Sequence, residues 1–353
     1  MSKYKIITAA LILCLLALGV CAWFMFGSSA GLTYANADKY TAGGATVTEP
    51  VRNLYVDWTE GAVNIEYHSG SGVVISETAD KALSENDKLR WWLDGDTLRI
   101  RYARSDLRIS ARLNKVLTVS LPEGTVLNTA DLGVTSAAMN IPGLVADEIR
   151  LDSTSGDIVA VTLTKKLTAN ATSGDMHITQ AGEIGDVNLF STSGSIECVL
   201  TGAKGVYADS TSGAVSLTLS EGAEKIRVDS TSGNVYVDTA FAGKADLSST
   251  AGSVSVKAAS FGEMKLHSTS GAVTAHLPEK PGFTCSVDTT SGSFDSVLAL
   301  AKDGKNYVCG DGSAKCVIDT TSGNVRIEGL QYAAPAAGPR ASRPGAFFCP
   351  AAS

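Results

Sequence analysis

Aromatic residues are scarce in this sequence, at 7% of its 353 positions, and histidine is scarcer, with four in all. His68, His177, His267 and His276 are scattered, and no H-E-x-x-H or other ligand spacing links them. There is no phosphate-binding glycine loop and no cysteine pair at zinc spacing. Runs of lysine and arginine are missing too. The net charge is -7, and residues 1–26 carry Lys3 and Lys5 with no acid, so the rest is more acidic still. That excludes the basic face needed for non-specific nucleic-acid binding. From these absences we expect no catalytic residues, no metal, no cofactor and no nucleic-acid partner.

One long hydrophobic run is present. Residues 6–26 are uncharged and follow two lysines, which is long enough to cross a bilayer as a helix. The lysines place the N-terminus in the cytoplasm and the body outside. Residues 1–27 therefore read as a transmembrane signal-anchor, with 28–47 as a linker. A cleaved signal peptide is the alternative, since Ser28-Ser29-Ala30 and Ala35-Asn36-Ala37 both fit a small-x-small cleavage site.

What the chain has in abundance is glycine, at 35 residues, within a background of Ser, Thr, Ala and Val. The glycines are periodic. T-S-G, or a close variant, ends at Gly156, Gly174, Gly194, Gly213, Gly233, Gly252, Gly271, Gly292 and Gly323. The intervals are 18, 20, 19, 20, 19, 19, 21 and 31, the last being one unit plus an insertion over about 296–313. A degenerate copy, Thr135-Ser136-Ala137, precedes them. The residues two after, five before and seven before each glycine are apolar, and those between are mostly polar. Alternation with period two on both sides of a glycine predicts two half-buried strands per repeat, joined by a sharp bend at the glycine.

One such repeat cannot bury its apolar face, so copies stack as parallel strands about 4.8 Å apart. The fold expected is all-β: a single-stranded parallel β-solenoid of nine to ten rungs over 123–330. A β-rich capping region over 48–122 precedes it, and a disordered Ala/Pro/Gly tail over 331–353 follows. Thr stands two before the glycine in all nine copies. Two readings are open for that column: a polar ladder that templates a glycan, or hydroxyls that satisfy each other and the bend backbone. Asp209 with Asp229, and Asp288 with Asp319, become vertical neighbours. Outward positions read as mostly small and polar, without carboxylates and basic residues clustered across rungs. Trp58, Trp91 and Trp92 read as core or as a sugar-binding face. Cys285 and Cys316 share an inward column, and a disulfide between them, or from either to Cys309, stands beside two buried thiols as a reading.

The repeated Ser-Thr-Ser-Gly-x-Val units, residues 54–66 with 89–100, and Gly310-Asp311-Gly312 leading into 317–323 carry a resemblance. They resemble a bacterial family of surface-associated proteins with β-strand repeats, a domain of unknown function known as putative adhesins. The likeness spans about residues 48–329. It implies a non-enzymatic cell-envelope protein, an adhesin-like binding or scaffold module with cell-wall glycan or envelope proteins as partners. An envelope-stress sensor and a carbohydrate-active β-helix enzyme are the alternatives. Oligomeric state is left open.

Overall fold

A computed structural model of the chain describes residues 33–106, 113–280 and 282–330. The expected membrane span and the C-terminal tail both lie outside the described residues. Among the described residues no helix is long and apolar enough to cross a membrane.

All described strands join one sheet system, wound as a solenoid. Strands Met176–Ser191, Ile196–Ser210, Val215–Ser230, Val235–Ser249 and Val254–Ser268 each form one rung and pair in parallel with the next. The apolar columns legible in the sequence lie side by side: Ile196, Val215, Val235, Val254 and Val273 form one continuous inner row, all buried to 1% exposure or less. Burying each such side chain contributes about 1.5–3 kcal/mol before chain entropy is subtracted. Successive rungs thus hold each other in place.

The unequal repeat lengths are absorbed at one corner. Where adjacent rungs differ in length, the pairing shifts register at the corner opposite the T-S-G bend, as between Gln180 and Glu183 or Leu200 and Gly202. Strands Val235–Ser249 and Val254–Ser268, offset by 19 residues along the chain, pair without a shift. The T-S-G bend itself tolerates no slack. A Cβ on Gly174, Gly194, Gly213, Gly233 or Gly252 would sit inside the carbonyl of the glycine one rung before. The sequence suggests glycine for the freedom of a bend, yet none of these glycines has a positive φ. Their role is close approach of backbones.

Both ends depart from sequential stacking. Strand Asn53–His68 is a full rung in register with Leu127–Ser153, with Gly61 opposite Ala137. The region expected as a separate cap therefore begins the solenoid. On its other side lie Thr97–Arg101 and Val116–Pro122, later in sequence but further out in space. Antiparallel strands then close the end: Arg90–Asp94 and Thr41–Ala42 on one face, Val73–Thr78 and Ala45–Val47 on the other. Residues 41–47, expected as linker, are the outermost edge of the fold.

Inside this end Lys115 is fully buried. Its ammonium pairs with Glu77 at 2.8 Å, donates to the carbonyls of Asp87 and Tyr102, and lies 4.9 and 4.3 Å from the ring centres of Trp58 and Tyr102. Burial pushes the Lys115 pKa down, against the pull of Glu77. A charge in such a place persists only when paired and hydrogen-bonded. Trp58, whose indole N–H donates to the Lys115 carbonyl, is core.

At the far end the chain overshoots. Strands Phe283–Thr289 and Phe294–Ser296 form the outermost rung, a hairpin of Ala301–Asp303 and Asn306–Cys309 folds back on it, and Ala314–Thr320 with Val325–Gly329 slide in beneath. In space the order of bends is Gly252, Gly271, Gly323, Gly292. Antiparallel strands again cover the edge, at least over Phe283 to Ser286, which removes a template for end-to-end pairing.

Candidate functional site

The face formed by the half-strands before each bend carries chemistry that the sequence reading missed. Two outward columns run along it, six and four residues before the glycine. From the entry end these columns and the strand edges beside them bring together Trp92 beside Arg99, Arg99 beside Tyr55, and Tyr55 beside Asp131. Further along, Asn188 and Phe190 neighbour Tyr207 and Asp209, which neighbour Arg227 and Asp229. The rings of Phe190 and Tyr207 meet edge to face at 5.4 Å. The guanidinium of Arg227 lies 5.7 Å from the Tyr207 ring centre, and that of Arg101 lies 4.9 Å from Tyr55.

Of the four arginine–aspartate pairs on this face, two lie within a single strand, one within a hairpin, and only Arg101 with Asp57 bridges neighbouring parallel strands. Arg99 pairs with Asp94 at 3.1 Å, Arg101 with Asp57, Arg150 with Asp152 at 2.5 Å and Arg227 with Asp229 at 2.7 Å. Asn170 donates to Asp152, and Ser248 to Asp229. The sequence held this stripe in plain columns. It was obscured because the column six before the glycine changes residue type from rung to rung, so the Asp that recurs in five of nine copies four before the glycine stands out alone.

Two carboxyls on the stripe are held above the usual range. Burial raises Asp209, and the neighbouring Asp229 adds to it, while the Tyr207 hydroxyl opposes. Burial raises Asp131, with Asp152 next. Burial and Asp209 together push Tyr207 up to about 12. A raised carboxyl pKa means that the fold binds this proton more tightly than the unfolded chain. Stability then rises as pH falls through the folded-state value and stops rising at the ordinary carboxylate pKa of about 3.9. Asp209→Asn is expected to leave stability at pH 7 unchanged or higher and to remove part of the gain just above that ordinary range. Urea midpoints from pH 4 to 7 measure it. A variant that is less stable at pH 7, with the acid-side gain intact, contradicts the assignment.

The residues singled out in the sequence fall elsewhere. The nine bend glycines form the vertical column already described. Thr at minus two is half-buried or exposed, and the bend is satisfied from inside by the residue at minus three. Ser210 Oγ donates to the Gly213 carbonyl at 2.8 Å, Ser268 Oγ donates to the Gly252 carbonyl at 2.9 Å, and the amides of Gly252 and Gly271 donate to Ser249 and Ser268. Eight of the nine repeats carry Ser or Thr there, a recurrence that would have revealed the inner ladder.

The family assignment follows from the repeat itself. The chain matches Toastrack DUF4097 over residues 51–328. It belongs to that family. Chains of known structure with similarity to this one include a putative adhesin from Parabacteroides merdae ATCC 43184, 11% identical, with 86% of this chain and 100% of that one covered and a TM-score of 0.36. A putative adhesin from Parabacteroides distasonis ATCC 8503 is 13% identical over 83% of this chain and 97% of that one, with a TM-score of 0.35. A putative cell adhesion protein from Clostridium sporogenes ATCC 15579 is 12% identical over 83% and 100%, with a TM-score of 0.19. No curated protein matches the chain.

In this Toastrack chain Cys198, Cys285, Cys309 and Cys316 are free and buried. Cys285 and Cys316 are partners on adjacent parallel strands. Contact with Cys285, reinforced by burial, raises the Cys316 thiol, so the pair packs as two apolar thiols in the inner column. The disulfide expected as one reading is not formed here. His177, His267 and His276 each face a carboxylate one rung away, at 2.9, 3.6 and 3.4 Å. Asp209 and Asp229, and Asp288 and Asp319, are rung neighbours. Trp91 packs against the core and Trp92 lies at the surface beside Tyr40 and Lys39.

Proposed function

We propose that this chain is a non-enzymatic binding module of the bacterial cell envelope. In this reading residues 1–27 tether it to the cell membrane, and the stripe around Tyr207 takes an extended glycan. The observation that supports the reading is the stripe itself: half-buried rings flanked by arginine–carboxylate pairs along one side of the stack. Such pairs offer donors and acceptors together and carry little net charge, which suits the hydroxyls of a neutral sugar polymer. An aromatic face adds apolar contact with the sugar ring. The repeating rungs present these groups at a regular pitch, and a polymer repeats too.

The test is retention of the full chain, in detergent, on insoluble bacterial cell-wall glycan. Tyr207→Ala and Arg227→Ala are expected to weaken retention about tenfold each, as central contacts do. Tyr236→Ala, an exposed ring on the opposite face, is expected to leave it unchanged. Equal loss with Tyr236→Ala, or none with Tyr207→Ala, sinks the assignment of the stripe. Soluble sugar released from the glycan by the wild-type chain sinks the non-enzymatic reading.

A further inference from the structure

The arginines of the stripe are paired, but the cations at the end where the chain enters are not. Lys39, Arg90 and Arg104 have no carboxylate ion-pair partner among the described residues, whereas the nearby Glu85 is taken by Lys88 at 2.8 Å. Arg90 donates through Nη2 to the Glu85 carbonyl at 2.7 Å, and its Nε is buried without a hydrogen-bond partner. Arg104 donates to Asn86 at 3.1 Å. Arg90 and Arg104 line a cleft of about 310 Å³ with Tyr34, Ala37, Asn86 and Glu85, the last held by Lys88. Beside it Tyr34, Tyr40 and Trp92 stand in an edge-to-face row, at 5.0 and 5.7 Å between ring centres, with the Lys39 ammonium 4.7 Å from the Trp92 ring. The row is tied down, since the Tyr34 hydroxyl donates to the Ala103 carbonyl at 3.0 Å.

Position decides what such a surface meets. Residues 41–47 are the outermost strands of this end, and the apolar run stops at Phe26. Only residues 27–32 separate it from Thr33, a reach of about 20 Å when fully extended. If residues 6–26 span the membrane, this cluster cannot lie far from the headgroups. Half-buried Tyr and Trp together with uncompensated Lys and Arg are the side chains that favour that layer.

We propose that this end of the rod docks on an anionic phospholipid surface. Arg90 and Arg104 take a headgroup phosphate in the cleft, and Tyr34, Tyr40 and Trp92 sit at the interfacial level. The proposal rests on the reading of residues 1–27 as a retained anchor. Docking would stand the rod away from the membrane with the stripe accessible along its side.

The full chain is to be reconstituted into nanodiscs of phosphatidylcholine alone, or of equimolar phosphatidylcholine and phosphatidylglycerol, and hydrogen exchange followed at residues 33–42 and 90–94. Slower exchange in the mixed discs is expected, with less protection as salt is raised. Lys39→Gln and Arg104→Gln, both exposed positions, are expected to weaken docking about fivefold each. Exchange at residues 283–296, at the far end, is expected to be the same in every sample and reports intact folding. Equal exchange of residues 33–42 in both disc types, or no effect of the two substitutions, overturns the proposal. A chain that fails to enter discs at all overturns the anchor instead. Co-flotation with vesicles of equimolar phosphatidylcholine and phosphatidylglycerol, against phosphatidylcholine alone, then decides docking: flotation with the mixed vesicles only, lost on the double substitution, supports it, and any other result rejects it.

Discussion

A chain stopped after Ser313 is expected to lose the whole far end of the rod, and to be less stable than a chain from which an interior rung has been excised. The usual behaviour of a stacked repeat is the reverse: removing a terminal repeat costs one interface. Here the last strands in sequence are not the last in space. Ala314–Thr320 lies between Val254–Ser268 and Phe283–Thr289, and Val325–Gly329 lies between Val273–Leu277 and Phe294–Ser296. Truncation therefore removes buried Cys316, Ile318, Val325 and Ile327, worth about 6–12 kcal/mol of apolar burial before chain entropy is counted. It also strips the parallel partner from the outermost rung, which keeps only the antiparallel hairpin Asn306–Cys309. Excising residues 214–233 joins Gly213 to Asn234 and leaves another T-S-G-x-V unit, with Ile196 free to stack on Val235. Limited proteolysis and urea unfolding compare the two. Cleavage throughout 278–313 in the truncated chain, with a compact shortened rod in the excised one, is the expected result. A truncated chain as resistant as the parent contradicts the inserted order.

The particular residues explain what the sequence could and could not disclose. The inward rows were legible because two periods coincide in them: alternation along a strand and recurrence near 19 along the chain. Val215, Val235 and Val254 obey both. The order of the last two rungs was not legible, since the Gly292 and Gly323 copies fit the same columns equally well. What separates them is the intervening hairpin, whose Asn306–Cys309 strand needs an outer edge and finds it on Phe283–Ser286. Strand-like alternation flanks Gly61 in the sequence, but its copy reads Thr59-Glu60-Gly61 and so lacks the T-S-G signature, and Glu60 is there for a local reason. It accepts from the Tyr102 hydroxyl at 3.0 Å and the Leu113 amide at 2.6 Å, holding the insertion that replaces the next bend. Only the fold brings that partner within reach.

The bend column separates two reasons for glycine that a sequence cannot tell apart. Gly213→Ala is expected to destabilise by about 3 kcal/mol or more, in the range of severe overpacking. The φ of Gly213 is not positive, so alanine could adopt the local backbone conformation. The obstacle is the Gly194 carbonyl and the Ser195 amide nitrogen, which occupy the place of a Cβ. They are backbone atoms, and the bends around them are laced by the bonds Ser193–Thr172 and Ser212–Thr192 at 2.9 and 3.0 Å, so the neighbour cannot rotate aside as a side chain would. Gly124→Ala tests the other reason: its φ is +78° with open space around it, and a cost of about 1 kcal/mol is expected. Gly143→Ala has neither obstacle nor positive φ and is expected to be neutral or stabilising by a few tenths of a kcal/mol, through the unfolded chain. Urea unfolding of the three variants ranks them. Should Gly213→Ala fall within about 1 kcal/mol of the parent, below any overpacking cost, the bends cannot be stacked backbone on backbone. A ladder this tight also makes the cost recur at every interior copy, so Gly174→Ala, Gly194→Ala, Gly233→Ala and Gly252→Ala are expected to match Gly213→Ala, each blocked by the glycine one rung before.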